Sequence, residues 1–241
     1  MSHDELCDRI AGNLRDVRDR ISQAAQRGGR DPGEVTIVAI TKSFPPEVIR
    51  AAVEVGLDDI GENRVQEMRD KREWLQDLEG VRWHLVGHLQ RNKVHLALSL
   101  FDILHSLDSL RLARTVERRA AAVDQVVPLF LEVNVSGEAS KYGFLLDDDE
   151  AGFFSTVEEI IALPHLQLDG LMTVPPLVPD PEEVRPIFRR LRDLRKRLRN
   201  RFPTAPWTHL SMGMTDDYPV AVEEGATMVR LGRALFGARS R

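Results

Sequence analysis

The chain has one cysteine, Cys7, so no internal disulfide can form and a reducing, cytoplasmic setting is expected. No apolar run approaches the roughly 20 residues that would span a bilayer. The opening MSHDELCDRI has neither the basic start nor the apolar core of a secretory signal. A formal charge of -5 leaves no global positive field for nucleic acid or an anionic membrane. Metal chemistry is not expected either, because His84, His88, His95 and His105 are not at zinc spacing with suitable partners and no cysteine cluster exists. Nor does any composition break mark a domain linker: the proline-rich Val174–Pro181 reads as a long loop between a strand and a helix.

What is there is a rhythm. Hydrophobic residues make up 42% of 241 residues and charged residues 29%, enough for a sizeable core. Ser2 and Glu5 make a capping-box pattern, and Leu6, Ile10, Leu14, Val17 and Ile21 recur at helical spacing until Gly28 and Gly29. After this helix, strand-like apolar runs fall at Val35–Ile40, Leu57–Ile60, Arg82–Val86, Phe101–Leu104, Val126–Val135, Leu166–Met172, Trp207–Leu210 and Met228–Leu231. Between them lie helix-period stretches: one entered at Pro45 and Pro46 and stopped at Gly56, then 64–78, 90–98, 109–123, 148–162, 182–201 and 216–224. Short apolar strands alternating with amphipathic helices imply a parallel sheet, and eight such units suit closure. The expected fold is α/β: a single (β/α)8 TIM barrel over 1–241, with residues 1–30 an extra N-terminal helix packed on it.

Barrel enzymes and binding proteins place their sites at the C-terminal ends of the strands. Lys42 stands at the end of the first run, where partial desolvation would lower its pKa and favour imine formation. Position alone favours an ordinary strand-end lysine. Two loops then point to an anion: His209-Leu-Ser-Met-Gly-Met-Thr-Asp-Asp after the seventh run, and Arg230-Leu-Gly-Arg at the end of the eighth. Phosphate sites in barrels are often built from these two loops, although Gly213 and Gly232 also suit tight turns. Arg230 lies two residues before Gly232, hence on the same face, and a buried arginine there needs an acceptor. A pyridine nitrogen would serve; so would a barrel carboxylate such as Glu132.

These features, with further segments, resemble the pyridoxal phosphate homeostasis protein family, single-domain relatives of the alanine racemase barrel. The matching segments are Val38–Lys42, Gly61–Glu67, Trp83–Lys93, Asn134–Gly143, Gly170–Thr173, Leu210–Met214 and Val229–Gly232. They occur in family order from about residue 35 to Gly237. The resemblance implies pyridoxal 5′-phosphate held as a Schiff base on Lys42, with Arg230 facing the ring nitrogen. It also implies that Ser211, Met212, Gly232 and Arg233 hold the phosphate, and that Asn63, with His84 beside it, lines the pocket. Two positions depart from the family pattern: Arg233 stands where Ser or Thr is usual, and Arg64 where Tyr is usual.

A permanently cationic Arg230 disfavours a protonated pyridine nitrogen and so weakens the ring as an electron sink. The chain also ends at Arg241, without the further domain from which the related racemase draws a second base. The reading is therefore a non-catalytic carrier, with no catalytic residue assigned. It is taken as a cytoplasmic monomer whose recipients are pyridoxal-phosphate-dependent apoenzymes. The alternatives are a racemase or decarboxylase completed by another subunit, and a cofactor-free Schiff-base aldolase. Arg185–Arg201 carries nine basic residues, but Ile187, Phe188, Leu191, Leu194 and Leu198 give that helix a core stripe, so its charge reads as a solvated face. The Lys141-Tyr142 loop reads equally as pocket cover and as plain surface.

Overall fold

Eight parallel strands close on themselves in the computed structural model, which describes residues 2–138, 141–146 and 150–238. In ring order they are β1 (Thr36–Ile40), β2 (Asp59–Glu62), β3 (Arg82–Leu85), β4 (Ile103–Leu107), β5 (Val127–Asn134), β7 (Leu166–Met172), β8 (His209–Ser211) and β9 (Met228–Leu231). Every adjacent pair is parallel, and β9 pairs with β1 through Val38 and Arg230 to shut the ring. A two-residue strand β6 (Phe144–Leu145) adds to β5 outside it. The expected (β/α)8 barrel is the observed fold. Ala139 and Ser140 of the matched loop, the expected helix start at 148, and Arg241 lie outside the described residues.

Parallel pairing forces each strand to be followed by a return across the outside, mostly helical. The returns carry α2 (Pro46–Glu54), α3 (Val65–Arg72), α4 (Val94–Leu98), α5 (Leu110–Ala121), α6 (Glu150–Ile161), α7 (Arg185–Arg201) and α8 (Tyr218–Glu223). A short α9 (Arg233–Phe236), which the periodicity does not signal, follows β9. In α7, Phe188, Leu191, Leu194 and Leu198 are buried, and Arg185, Arg189 and Arg192 pair with Glu224. None of the described helices is long and apolar enough to cross a membrane.

The helix before the barrel, α1 (His3–Arg27), has the capping box that its sequence spells: Glu5 N–H donates to Ser2 Oγ, and Ser2 N–H to Glu5 Oε2. Its stripe of Leu6, Ile10, Leu14, Val17 and Ile21 is buried against α2, α8 and α9. Arg30 then ties the exit of the helix to the carbonyls of Val222 and Ala226.

Three strands begin two residues later than apolarity suggests. β2 starts at Asp59 instead of Leu57, β4 at Ile103 instead of Phe101, and β8 at His209 instead of Trp207. Leu57 and Phe101 are buried, but as part of the layer under the helices, ahead of the ladder. Gly61, Glu62, His105 and Ser106 are thus strand residues, not loop residues. The period-two alternation sends Val38, Ile40, Phe130, Met172 and Met228 into a small apolar cluster of their own, apart from the main core. Around it the interior is polar. Replacing Ile10, which is fully buried, by alanine is expected to lower the unfolding free energy by about 2–5 kcal/mol in denaturant titrations, since it leaves a cavity in the stripe that holds α1 on the barrel.

Candidate ligand-binding site

A cavity of about 810 Å³ opens at the C-terminal ends of the strands, and Lys42, Asn63, Arg230, Gly232 and Arg233 all line it. Ser211 and Met212 do not. Both are fully buried: the Ser211 hydroxyl is engaged with His105 and Arg230, and the Met212 N–H donates to the Met228 carbonyl. His84 is likewise buried, below the cavity floor. Arg64 and Lys93 also line the cavity, so cations surround it on several sides.

Lys42 is held through its neighbours. Thr41, fully buried, donates from Oγ1 to Glu62 Oε1 at 2.7 Å. The Lys71 ammonium, reaching in from α3, donates to the Thr41 carbonyl at 3.0 Å, to Glu62 at 2.7 Å and to Glu67 at 2.8 Å. On the other side the Ser43 N–H donates to the same Glu67 oxygen, and Ser43 has φ +65°, a left-handed turn in a non-glycine residue. The lysine at the strand end is thus clamped front and back by one Glu62–Lys71–Glu67 cluster. Burial raises the Glu62 carboxyl above its ordinary range, opposed by the adjacent Lys71.

Arg230 enters from β9 with its guanidinium almost wholly buried. Its terminal nitrogens donate to the Ser211 carbonyl at 2.6 Å, the Ser211 hydroxyl at 2.7 Å and the Thr173 carbonyl at 2.8 Å. Among the described residues no carboxylate pairs with it, so the acceptor is neither Glu132 nor any other acid in contact. Burial lowers its pKa to about 10, with Asp217 and Glu132 opposing, which leaves it charged at neutral pH. The polar path continues behind it: Ser211 Oγ to His105 at 2.9 Å, His105 to His84 at 2.9 Å, and His84 to Asp59 at 2.8 Å. Burial holds the His105 imidazole well below its ordinary pKa, and His84 and Arg230 add to that, so it is neutral. The path thus runs from the Arg230 guanidinium to the Asp59 carboxylate.

Backbone geometry shapes the two ends of the cavity. A Cβ on Gly87 would lie 2.3 Å from the Asn63 carbonyl oxygen, so only glycine lets the chain leaving β3 pass the Asn63 turn. Gly213 has φ +94°, and a Cβ there would lie 2.6 Å from Ala221 Cβ. Met214, Thr215 and Asp216 of that loop reach the cavity, and the Arg233 guanidinium turns outward to Asp216 at the rim. The surface loop that could equally have been cover contributes Tyr142, whose ring stacks on His88 at 3.9 Å between centroids, while His88 bonds Asp108.

Sequence reasoning missed three contributors. Gly87 was visible only as a residue past a strand. Lys71 looked like one charge among many on a helix. Glu132, named only as an acceptor for Arg230, proves to be a nearly buried acid of the cavity wall, with Oε2 lacking any hydrogen-bond partner among the described residues. Replacing Lys71 by methionine leaves Glu62 with no cation in a fully buried place. An unfolding free energy lower by about 3–5 kcal/mol is expected. The deficit should be larger at pH 8 than at pH 5, because at low pH the stranded carboxyl can take up a proton; urea titrations at both values measure it.

Comparison with known proteins identifies the family. A family model described as alanine racemase, N-terminal domain, matches residues 8–240. The pyridoxal phosphate homeostasis protein of Aquifex aeolicus is 43% identical over 233 residues, covering 97% of this chain and 98% of that one. PipY of Synechococcus elongatus PCC7942, solved with pyridoxal phosphate bound, is 34% identical with a TM-score of 0.82, over 95% of this chain and all of that one. The alanine racemase of Clostridium difficile 630 shares the fold at 14% identity and a TM-score of 0.73, over 97% of this chain and 58% of the racemase. With its matches running nearly end to end in both chains, this protein belongs to the pyridoxal phosphate homeostasis protein family, on the barrel shared with the alanine racemase N-terminal domain.

Proposed function

We propose that this chain binds pyridoxal 5′-phosphate with Lys42 as its covalent anchor, and serves intracellular vitamin B6 homeostasis as a carrier without a catalytic residue. The observation that carries the reading is the convergence of a strand-end amine, Lys42, with the buried guanidinium of Arg230 in one cavity ringed by further cations. The donor set fits the group. An amine suits its aldehyde, cationic walls suit its phosphate, and the open side of the Arg230 guanidinium suits a ring nitrogen that stays unprotonated. Asn63, Arg230, Gly232 and Arg233 would touch the ligand; Ser211 would act through Arg230, and Met212 through packing beneath the loop. When bound, the group supplies a carbonyl that condenses reversibly with amines and a ring that can accept electrons.

Two features favour a carrier over a racemase or decarboxylase. Arg230 remains charged at neutral pH, and a cation beside the ring nitrogen opposes the protonation that bond cleavage at Cα exploits. The Aquifex relative, likewise, is named for homeostasis and not for a reaction. In this reading residues 1–241 act as one cytoplasmic, monomeric binding domain, and apoenzymes that depend on the cofactor are the recipients. An absorption spectrum taken with and without borohydride, followed by peptide mapping, tests it. The reduced adduct is expected on Lys42 and absent from Lys42→Ala; a label on another lysine would overturn the assignment. Racemisation of amino acids at ordinary enzymatic rates would refute the carrier reading.

A further inference from the structure

The cavity wall contains one acid whose presence the cations do not explain. Glu132 projects from β5 on the same face as Phe130, which lies in the apolar cluster at the barrel centre. It is 8% exposed, and its Oε2 is buried without a hydrogen-bond partner among the described residues. Arg230 does not quench it by contact, since the two terminal nitrogens of that guanidinium are engaged by Ser211 and Thr173. The other cavity acid, Asp216, is bound to Arg233 at the rim. An ionised Glu132 would be desolvated and would repel the phosphate-bearing ligand that the rest of the wall attracts. As the neutral acid it has the opposite character, a hydrogen-bond donor on a side chain that lines the cavity.

We propose that Glu132 is a ligand-binding residue, its neutral carboxyl donating to an oxygen or nitrogen of the bound anionic aldehyde, so that the hold loosens when that proton is lost. The inference rests on the pyridoxal phosphate reading above and adds to it a pH-dependent release. The charged and titratable groups around Glu132 are Arg230 from β9, Asp108 after β4, Lys42 at the end of β1, His88 after β3 and Tyr142 after β5; its β7 partner, Met172, carries no charge. Burial pushes the carboxyl up to about 7, Asp108 pushes in the same direction, and Arg230 opposes both. If the complex requires the proton, binding is at full strength below that value and weakens as pH rises through it.

Pyridoxal phosphate titrated into the full chain at pH 6, 7 and 8, followed by absorbance, tests this against Glu132→Gln, which keeps a donor but cannot ionise. The ratio of wild-type to variant Kd is expected to be near one at pH 6 and to reach about tenfold at pH 8, because one linked proton with a free pKa of about 7 gives that factor. The titrations of Lys42, His88 and the phosphate cancel in the ratio. A ratio that does not change with pH overturns the proposal. Glu132→Leu removes charge and donor together, and keeps the test standing if the glutamine variant misfolds. It is expected to bind several-fold more weakly than wild type at pH 6; equal affinity there overturns the proposal as well. Failure of the wild type to form any adduct at Lys42 instead overturns the cofactor reading on which this rests.

Discussion

A guanidinium cannot give up its charge inside a protein, and Arg230 places one within a closed ring of strands. Much of the barrel interior follows from that. The charge needs oxygen acceptors, and the backbone carbonyls of Thr173 and Ser211, at the C-terminal ends of β7 and β8, supply two of them. The Ser211 hydroxyl is the third, and its own proton needs an acceptor in turn. His105 and His84 pass the requirement across the barrel to Asp59, whose other oxygen takes a bond from Arg82 at 2.6 Å. Each step satisfies a group that would otherwise be buried without a partner, a costly state in a low-dielectric interior. The aliphatic layers that fill many barrels are here reduced to Val38, Ile40, Phe130, Met172 and Met228.

The second organising element lies around Lys42. A lone lysine at a strand end has four rotatable bonds and no fixed direction. Here the residues before and after it are bound to acids that a single ammonium, Lys71, holds in place. The cluster fixes the backbone from which Lys42 projects. The arrangement suits an amine that must meet a ligand on entry and release it later, as the carrier reading requires. It also explains why a buried ion pair is tolerated at this point, where packing alone would be cheaper.

Electrostatics divide the cavity by function. Arg64, Lys93 and Arg230 provide attraction for an anion, whereas Arg233 is half committed to Asp216 at the rim. Glu132 departs from this pattern in sign, and burial resolves the conflict by moving its protonation toward neutrality. The alanine racemase of Clostridium difficile 630 shares this barrel, a likeness of fold alone, since function depends on the groups placed at the upper rim.

Local pattern was enough for much of this. Alternating apolar runs located β7 and β9 to the residue, helical spacing located the buried stripe of α1, and the rule for strand ends put Lys42 in the cavity. The period of two also placed Arg230 on the inward face. Such features depend on residues a few positions apart, so the sequence by itself determined them. It could not give the starts of β2, β4 and β8, because apolarity marks burial and Leu57, Phe101 and Trp207 are buried outside the ladder. Nor could it show that Ser211 serves Arg230 from outside the cavity lining, that Lys71 clamps Thr41, or that Glu132 Oε2 has no hydrogen-bond partner among the described residues. Those facts depend on groups brought together from distant parts of the chain, and only closure of the barrel decides which polar atoms meet and which remain unsatisfied.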